Sequence, residues 1–599
     1  MNCKKWMAVA IVLCGFGVTS CSDKEDVPKI ITVPEDTGGH YVTRTVPVVY
    51  YEAPEGSVTL RFYDDMPSVA YISIRDFHKM MLPGDVMTVS SQGGVYQLRN
   101  SEGEATVNVY DDTFSSNDYM AFTNMMSKVT PGMPNVYCDG EPYIKYRSCT
   151  ISPSSVKVTF NLKQYGIDLH GDGKDVYFPF ATLSDLYSDL HYNLAGFNGE
   201  KVVVNESPYM GTMCDVDSTF TIATYMTRTT TDDMAAFRYK ELCFAIDNFY
   251  GLTGRSPYEG ILVMDGLDAV LEGDGEAGRQ VKQLLNSKNT AEYALGMDAL
   301  LYYIKDYGHT KIMLDYDAPV SVTGDFSPRY SVAKATYPLA ADRAAKAQDE
   351  RFGFLQVWAD LTEQRSNQLG DDDYYKVGNT AFYHLEDFMD LTPEPWAKYY
   401  AGGKKPTVED YPDCQSVSLI HALDKANADP DVENFVLDLT TNGGGSDDFA
   451  IMLMSLLADV STERSVNTMT GQKTMVTFDV DRNFDRKFDE KDRDVHYDLK
   501  VGVLTSRFSF SCANLFPSLM KDLGFLVMGE RTGGGGCAIQ QMVTPDGFDY
   551  RISSFRCLSV NNKWESIDAG VEPNVAVDPQ RLYDVQYLGN IIERWYAKK

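Results

Sequence analysis

The sequence predicts an α/β core joined to a helical subdomain, with a β-rich region ahead of both. Three stretches lead to this expectation. Residues 41 to 230 are rich in Val, Tyr, Thr and Phe and alternate as half-buried strands do, as in Tyr71-Ile72-Ser73-Ile74 and Val156-Lys157-Val158-Thr159-Phe160. Residues 232 to 308 carry apolar side chains at helical spacing, among them Phe237, Leu242, Phe249, Val281, Leu284, Leu295, Leu300 and Ile304. From Ala381 onward, apolar strand-like runs alternate with helical runs, the order that builds βαβ crossovers.

The N-terminal element differs from the rest. Lys4-Lys5, the apolar run Trp6 to Phe16 and the small residues up to Ser20 read as a secretory signal over 1–20, too short to span a bilayer. Val18-Thr19-Ser20-Cys21 resembles a bacterial lipoprotein box. That resemblance implies cleavage before Cys21, lipidation of its thiol, a polar tether over 21–40 and attachment to a membrane of the bacterial cell envelope. An ordinary signal with an incidental cysteine is the other reading. The chain of 599 residues carries a net charge of −31, which repels phosphate backbones and argues against a nucleic-acid partner.

Of eleven cysteines, Cys138, Cys149, Cys214, Cys243, Cys414, Cys512, Cys537 and Cys557 lie beyond the tether. They show no CxxC spacing, which argues against zinc, and Cys138 with Cys149 is a candidate local disulfide. The β-rich region 41–230 holds turn signals such as Gln92-Gly93-Gly94 and no catalytic motif. The helical subdomain, 231–315, is expected to end with Gly308 as a helix C-cap. A connecting region, 316–375, has no recognisable motif, and the α/β domain is placed at 376–590.

Two turns within that domain can carry chemistry. Phe435-Val436-Leu437-Asp438-Leu439 runs into Thr440-Thr441-Asn442-Gly443-Gly444-Gly445, where glycines at a strand end can aim backbone N–H groups outward. No Gly-Lys-Ser/Thr follows, so it is not a phosphate loop. The second turn, Ser509-Phe510-Ser511-Cys512-Ala513-Asn514, sits between the strand ending near Thr505 and a helical run. A serine over a helix N-terminus faces free N–H groups that favour negative charge, although an N-cap serine has the same address.

Together these turns resemble the serine peptidase family of C-terminal processing peptidases, the tricorn core and retinoid-binding-protein-like repeats. The matching pieces are Asp438-Leu439-x-x-Asn442-x-Gly444-Gly445, Ser511-x-Ala513-Asn514, Gly529-Glu530-Arg531-Thr532 and Asp568-Ala569-Gly570-Val571-Glu572-Pro573-Asn574. The resemblance implies a ClpP/crotonase-like core under a helical cap. It implies acyl transfer with Ser511 as nucleophile and the N–H groups of Gly444 and Cys512 as an oxyanion hole. Many members place a lysine base in a Gly-Lys-Gly turn, whereas residues 533–536 here are all glycine and no lysine occurs between Lys521 and Lys563. The tricorn-like branch instead takes a histidine from the end of the helical subdomain, which matches His309 in Asp306-Tyr307-Gly308-His309-Thr310. Asp568 or Glu565 would orient the imidazole, His384 is the second candidate base, and Cys512 with Cys537 is a candidate disulfide beside the site.

A separate run, Asp481, Asn483, Asp485, Lys487, Asp489 and Asp492, spaces oxygen ligands as an EF-hand-like calcium loop does, with the Lys487 carbonyl at position 7. Position 6 is Arg486 instead of glycine, and a solvated loop of mixed charge is the other reading; such an ion would be structural, and serine acyl transfer requires no cofactor. The expected function is a membrane-anchored serine endopeptidase acting on peptides or unfolded proteins. The alternative is a non-catalytic lipoprotein that uses the same fold to bind a peptide or glycan. An acyl-CoA enzyme is disfavoured by export and acidic charge.

Overall fold

The computed structural model describes residues 39–598 apart from 51–52, 124–139, 154–155, 188–192, 207–228, 252, 312–325 and 391–393. The signal, Cys21, most of the tether, Cys138 and Cys214 lie outside the described residues. Among the described residues no helix is long and apolar enough to cross a membrane.

The α/β core is a six-stranded sheet in the order Tyr374–Val377, Thr380–His384, Asn434–Asp438, Lys500–Thr505, Leu526–Gly529, Val575–Ala576. The first pair is antiparallel and every later pair parallel. Its inner strands are continuous apolar runs because both faces are covered. Leu437, Val503 and Val527 pack with the helices Gln415–Ala428, Asp447–Ala458 and Cys512–Asp522. Phe382, Val436, Leu504 and Met528 face Leu588 and Ile592 of the C-terminal helix Val585–Tyr596.

A second, antiparallel sheet follows the order Cys537–Val543, Asp549–Val560, Thr462–Asn467, Lys473–Val480, Ile144–Ile151. Its last strand comes from the N-terminal region, so that region is not closed on itself. The remaining N-terminal strands form a seven-stranded and a five-stranded sheet, and the tight Gly93-Gly94 turn joins two strands of the latter as expected. Phe160 of the smaller sheet meets Phe244 and Phe249 of the helix Asp232–Phe249, so the β-rich region and the helical subdomain share one core.

The helical subdomain comprises Asp232–Phe249, Glu259–Gly273, Gly275–Leu285 and Thr290–Ile304. The expected cap at Gly308 is displaced. The last helix ends at Ile304, and Lys305 takes the left-handed conformation at φ 55, its N–H bonding the Leu301 carbonyl at 2.8 Å. The connecting region contains a 32-residue helix, Pro338–Leu369, whose buried positions are Ala340, Ala344, Ala347, Val357 and Leu361. Alanines at spacings of four and three let it lie close to its neighbours without the large apolar stripe by which a helix is usually recognised.

Candidate active site

Ser511 precedes the helix Cys512–Asp522 with φ 54 and ψ −119, a conformation that costs a non-glycine residue on the order of 1–3 kcal/mol. Its surroundings hold it there. The Ser511 N–H donates to the Gly534 carbonyl at 2.9 Å, and the Ser511 carbonyl accepts the N–H groups of Asn514 and Leu515 at 2.9 and 2.8 Å. The side chain is half-buried, at the sheet's C-terminal edge beside the glycine turn.

Gly444 has φ 121, and a Cβ placed on it would stand 2.6 Å from the Ser511 Cβ. Its N–H, however, already donates to Asn442 Oδ1 at 2.8 Å, so the oxyanion donor expected at this position is engaged. Among the described residues, no protein acceptor takes the N–H of Cys512 or of Gly445, the residue after Gly444. The Cys512 thiol donates to the Gly445 carbonyl at 3.0 Å, which places it apart from Cys537 and corrects the expected pairing. Cys537 faces Cys557 instead.

His309 is buried, and its Nδ1 lies 2.7 Å from the Cys537 carbonyl. A carbonyl only accepts, so Nδ1 carries the proton and the neutral ring keeps its lone pair on Nε2. Burial holds the imidazole below its ordinary value of 6.5, against the opposing pull of Asp306 and Asp568. No hydrogen bond joins His309 to Ser511 in this structure. The two are linked through Phe510, whose ring stands edge-on to the imidazole at 5.0 Å between centroids. That ring explains Gly308, where a Cβ would lie 2.1 Å from Phe510 Cζ.

Asp568 and Glu565, both candidates to orient the histidine, are separated by the fold. Asp568 is buried and accepts the Cys537 N–H on Oδ1 at 2.9 Å, so the Cys537 backbone holds both this carboxyl and the imidazole. Glu565 is exposed and accepts from Asn561 Nδ2 at 2.9 Å, away from His309. His384 is not beside Ser511. It bonds Asp438 Oδ2 through Nδ1 at 3.1 Å and Thr441 Oγ1 through Nε2 at 3.3 Å, bracing the base of the glycine turn.

The sequence reading named Asn442 only as a motif position, and two further contributors, Arg255 and Asp387, escaped it. Asn442 fixes the glycine turn, its Nδ2 donating to the Leu385 carbonyl at 3.0 Å. Arg255 donates to the Gly533 carbonyl and lies over the Phe510 ring at 5.4 Å. Asp387 lies against Gly445, and burial pushes its carboxyl up to about 7. Only Asn442 carried a signal, as a fixed position of the glycine motif. Asn514 ties together the loops behind the serine, donating to the Ile567 carbonyl at 3.0 Å and accepting from Thr532 Oγ1 at 2.7 Å.

The candidate calcium loop uses its oxygens on itself. Asp481 accepts the N–H groups of Asp485 and Arg486, and Asn483 accepts the N–H of Asp485. Asp485 accepts the N–H of Lys487, whereas Asp489 and Asp492 form a reciprocal cap on the turn that follows. Among the described residues no group of three or more Asp, Glu, His or Cys side chains is arranged to hold a metal ion.

Residues 412–577 match the model of peptidase family S41. An uncharacterized protein of Chlamydia muridarum is 33% identical over 98 residues, which is 16% of either chain, so the match spans about a sixth of that curated relative. Solved structures resembling this one include a candidate peptidase from Parabacteroides merdae, with 18% identity and a TM-score of 0.36 over 60% of this chain and 96% of that one. Another is a lipoprotein from Streptococcus agalactiae, with 12% identity and a TM-score of 0.32 over 59% and 96%. The photosystem II D1 C-terminal processing protease gives 18% identity and a TM-score of 0.24 over 33% and 42%. The stretch that carries the glycine turn, Ser511 and Asp568 is thus the one that matches peptidase family S41.

Proposed function

We propose that this protein is an exported serine endopeptidase, anchored by a lipid on Cys21, that hydrolyses peptides or unfolded proteins through an acyl-enzyme. Ser511 Oγ attacks the scissile carbonyl, and His309 Nε2 takes its proton and passes it to the leaving amine. Water then repeats the step in reverse, with His309 as base and Ser511 as leaving group. The observation that carries this reading is the contact of His309 Nδ1 with the Cys537 carbonyl at 2.7 Å. In the neutral ring that leaves Nε2 as the free basic atom. Asp568 acts one step removed, by holding the Cys537 N–H. The Cys512 N–H, joined by Gly445 in place of Gly444, stabilises the oxyanion.

The missing Ser511–His309 hydrogen bond means that Phe510 must shift or the turn must tighten when substrate binds. That same gap favours the second reading, a peptide- or glycan-binding protein on a peptidase fold. A fluorophosphonate probe on the soluble chain tests the choice. Labelling of the wild type that is lost in both Ser511→Ala and His309→Ala supports the endopeptidase. A folded wild type that takes no label, yet is stabilised against heat by peptide or glycan, overturns it.

A further inference from the structure

Cys537 and Cys557 stand directly opposite each other on the antiparallel strands Cys537–Val543 and Asp549–Val560. The Leu558 N–H donates to the Gly536 carbonyl at 2.7 Å, so the flanking pair is the hydrogen-bonded one. The Cys537 N–H and carbonyl point away from Cys557, to Asp568 and His309. The cysteines therefore occupy a non-hydrogen-bonded position, where opposed Cα atoms are about 4.5 Å apart. That separation falls within the range a disulfide spans, about 4.4–6.8 Å. Both side chains leave the same face of the sheet, and both sulfurs converge on one atom: the Gly251 carbonyl lies 3.8 Å from Cys537 Sγ and 4.0 Å from Cys557 Sγ. Both residues are buried, and in this structure both are thiols.

We propose that Cys537 and Cys557 close into a cross-strand disulfide beneath His309 when the chain folds in the presence of a disulfide donor. One cysteine thiolate attacks a sulfur of the donor, such as oxidised glutathione, and expels one thiolate. The second cysteine thiolate then attacks the mixed disulfide and expels the other. Two electrons pass from the cysteines to the donor, which leaves as two thiols carrying the two protons. Burial keeps outside thiols from the finished bond, so it forms before the strands are covered and persists afterwards. Its consequence is local: the crosslink fixes the residue whose carbonyl holds His309 Nδ1. Only that consequence rests on the peptidase reading.

The full chain is folded with a reduced/oxidised glutathione couple and, separately, with excess dithiol reductant. Free thiols are alkylated, and the protein is digested without reduction for peptide mass measurement. The expected result is a linked Cys537–Cys557 peptide in the first sample only, with a melting midpoint higher by about 4 °C. The Cys557→Ala variant should lose both differences. Recovery of both cysteines alkylated from the glutathione sample, or of Cys537 linked to Cys512, overturns the proposal. The peptide masses of the wild type decide this even if the variant fails to fold, and no step requires the chain to cleave a peptide.

Discussion

Gly444 lies so close to Ser511 that a methyl group on it would stand 2.6 Å from the serine Cβ and 3.1 Å from Oγ. Its φ of 121 adds backbone strain to the collision for any other residue. Gly444→Ala is therefore expected to displace Ser511 or the turn, and to slow fluorophosphonate labelling by about 100-fold or more. Circular dichroism should show retained secondary structure. An alanine variant that labels at the wild-type rate would contradict this packing.

His309 is held neutral by burial. A base with an ordinary imidazole value would lose half its activity near pH 6.5, whereas here labelling should hold to lower pH before the ring protonates. The same depressed value has a stability cost in acid. Below about pH 6.5 the unfolded chain binds a proton at this position that the folded chain resists, so folding weakens as pH falls. Comparing wild type with His309→Gln in urea titrations at several pH values isolates the contribution.

Asp387 has the opposite sign. Burial raises its carboxyl to about 7, so between about pH 4 and 7 the folded chain holds a proton that the unfolded chain has released. This group's contribution to stability is fully present below the unfolded value and is lost as pH rises through the folded one. Asp387→Asn removes the titration. The variant should gain stability relative to wild type as pH rises from about 4 to 7, measured as the difference in urea midpoints.

Arg238 and Asp546 form an ion pair at 2.9 Å with both side chains 1% exposed. It joins the helix Asp232–Phe249 to the turn after Cys537–Val543, and Arg238 also donates to the Ser287 carbonyl at 2.7 Å. Asp546→Ala leaves a buried guanidinium without its counter-charge and should cost about 3–5 kcal/mol. Arg238→Met with Asp546→Leu should recover much of that loss. Chemical denaturation of the single and double variants measures both.

Much of this site could be read from the sequence because glycines and a serine at strand ends announce sharp turns. Asp438 through Gly445 and Ser511 fall at the edge of the parallel sheet, where alternating strand and helix runs locate them. What orients His309 could not be read, because the acceptor is a main-chain carbonyl and every residue has one. Gly308 misled for a related reason: a glycine near a helix end suits a cap, but this one makes room for the Phe510 ring, 202 positions later in the chain. The helix Pro338–Leu369 stayed hidden because small alanines do its packing.

The strand Ile144–Ile151 pairs along Lys473–Val480, far from its neighbours in the chain. The family-matching stretch, 412–577, therefore cannot be cut out cleanly by following the sequence. Residues 376–590 expressed alone would expose the backbone donors and acceptors of Lys473–Val480 as an open edge, a template for pairing with a second copy. Such a fragment should run larger than a monomer in size-exclusion chromatography, and a synthetic peptide covering 144–151 should suppress the association. The first third of the chain is thus a structural partner of the family-matching stretch, and the two have to be made as a single piece.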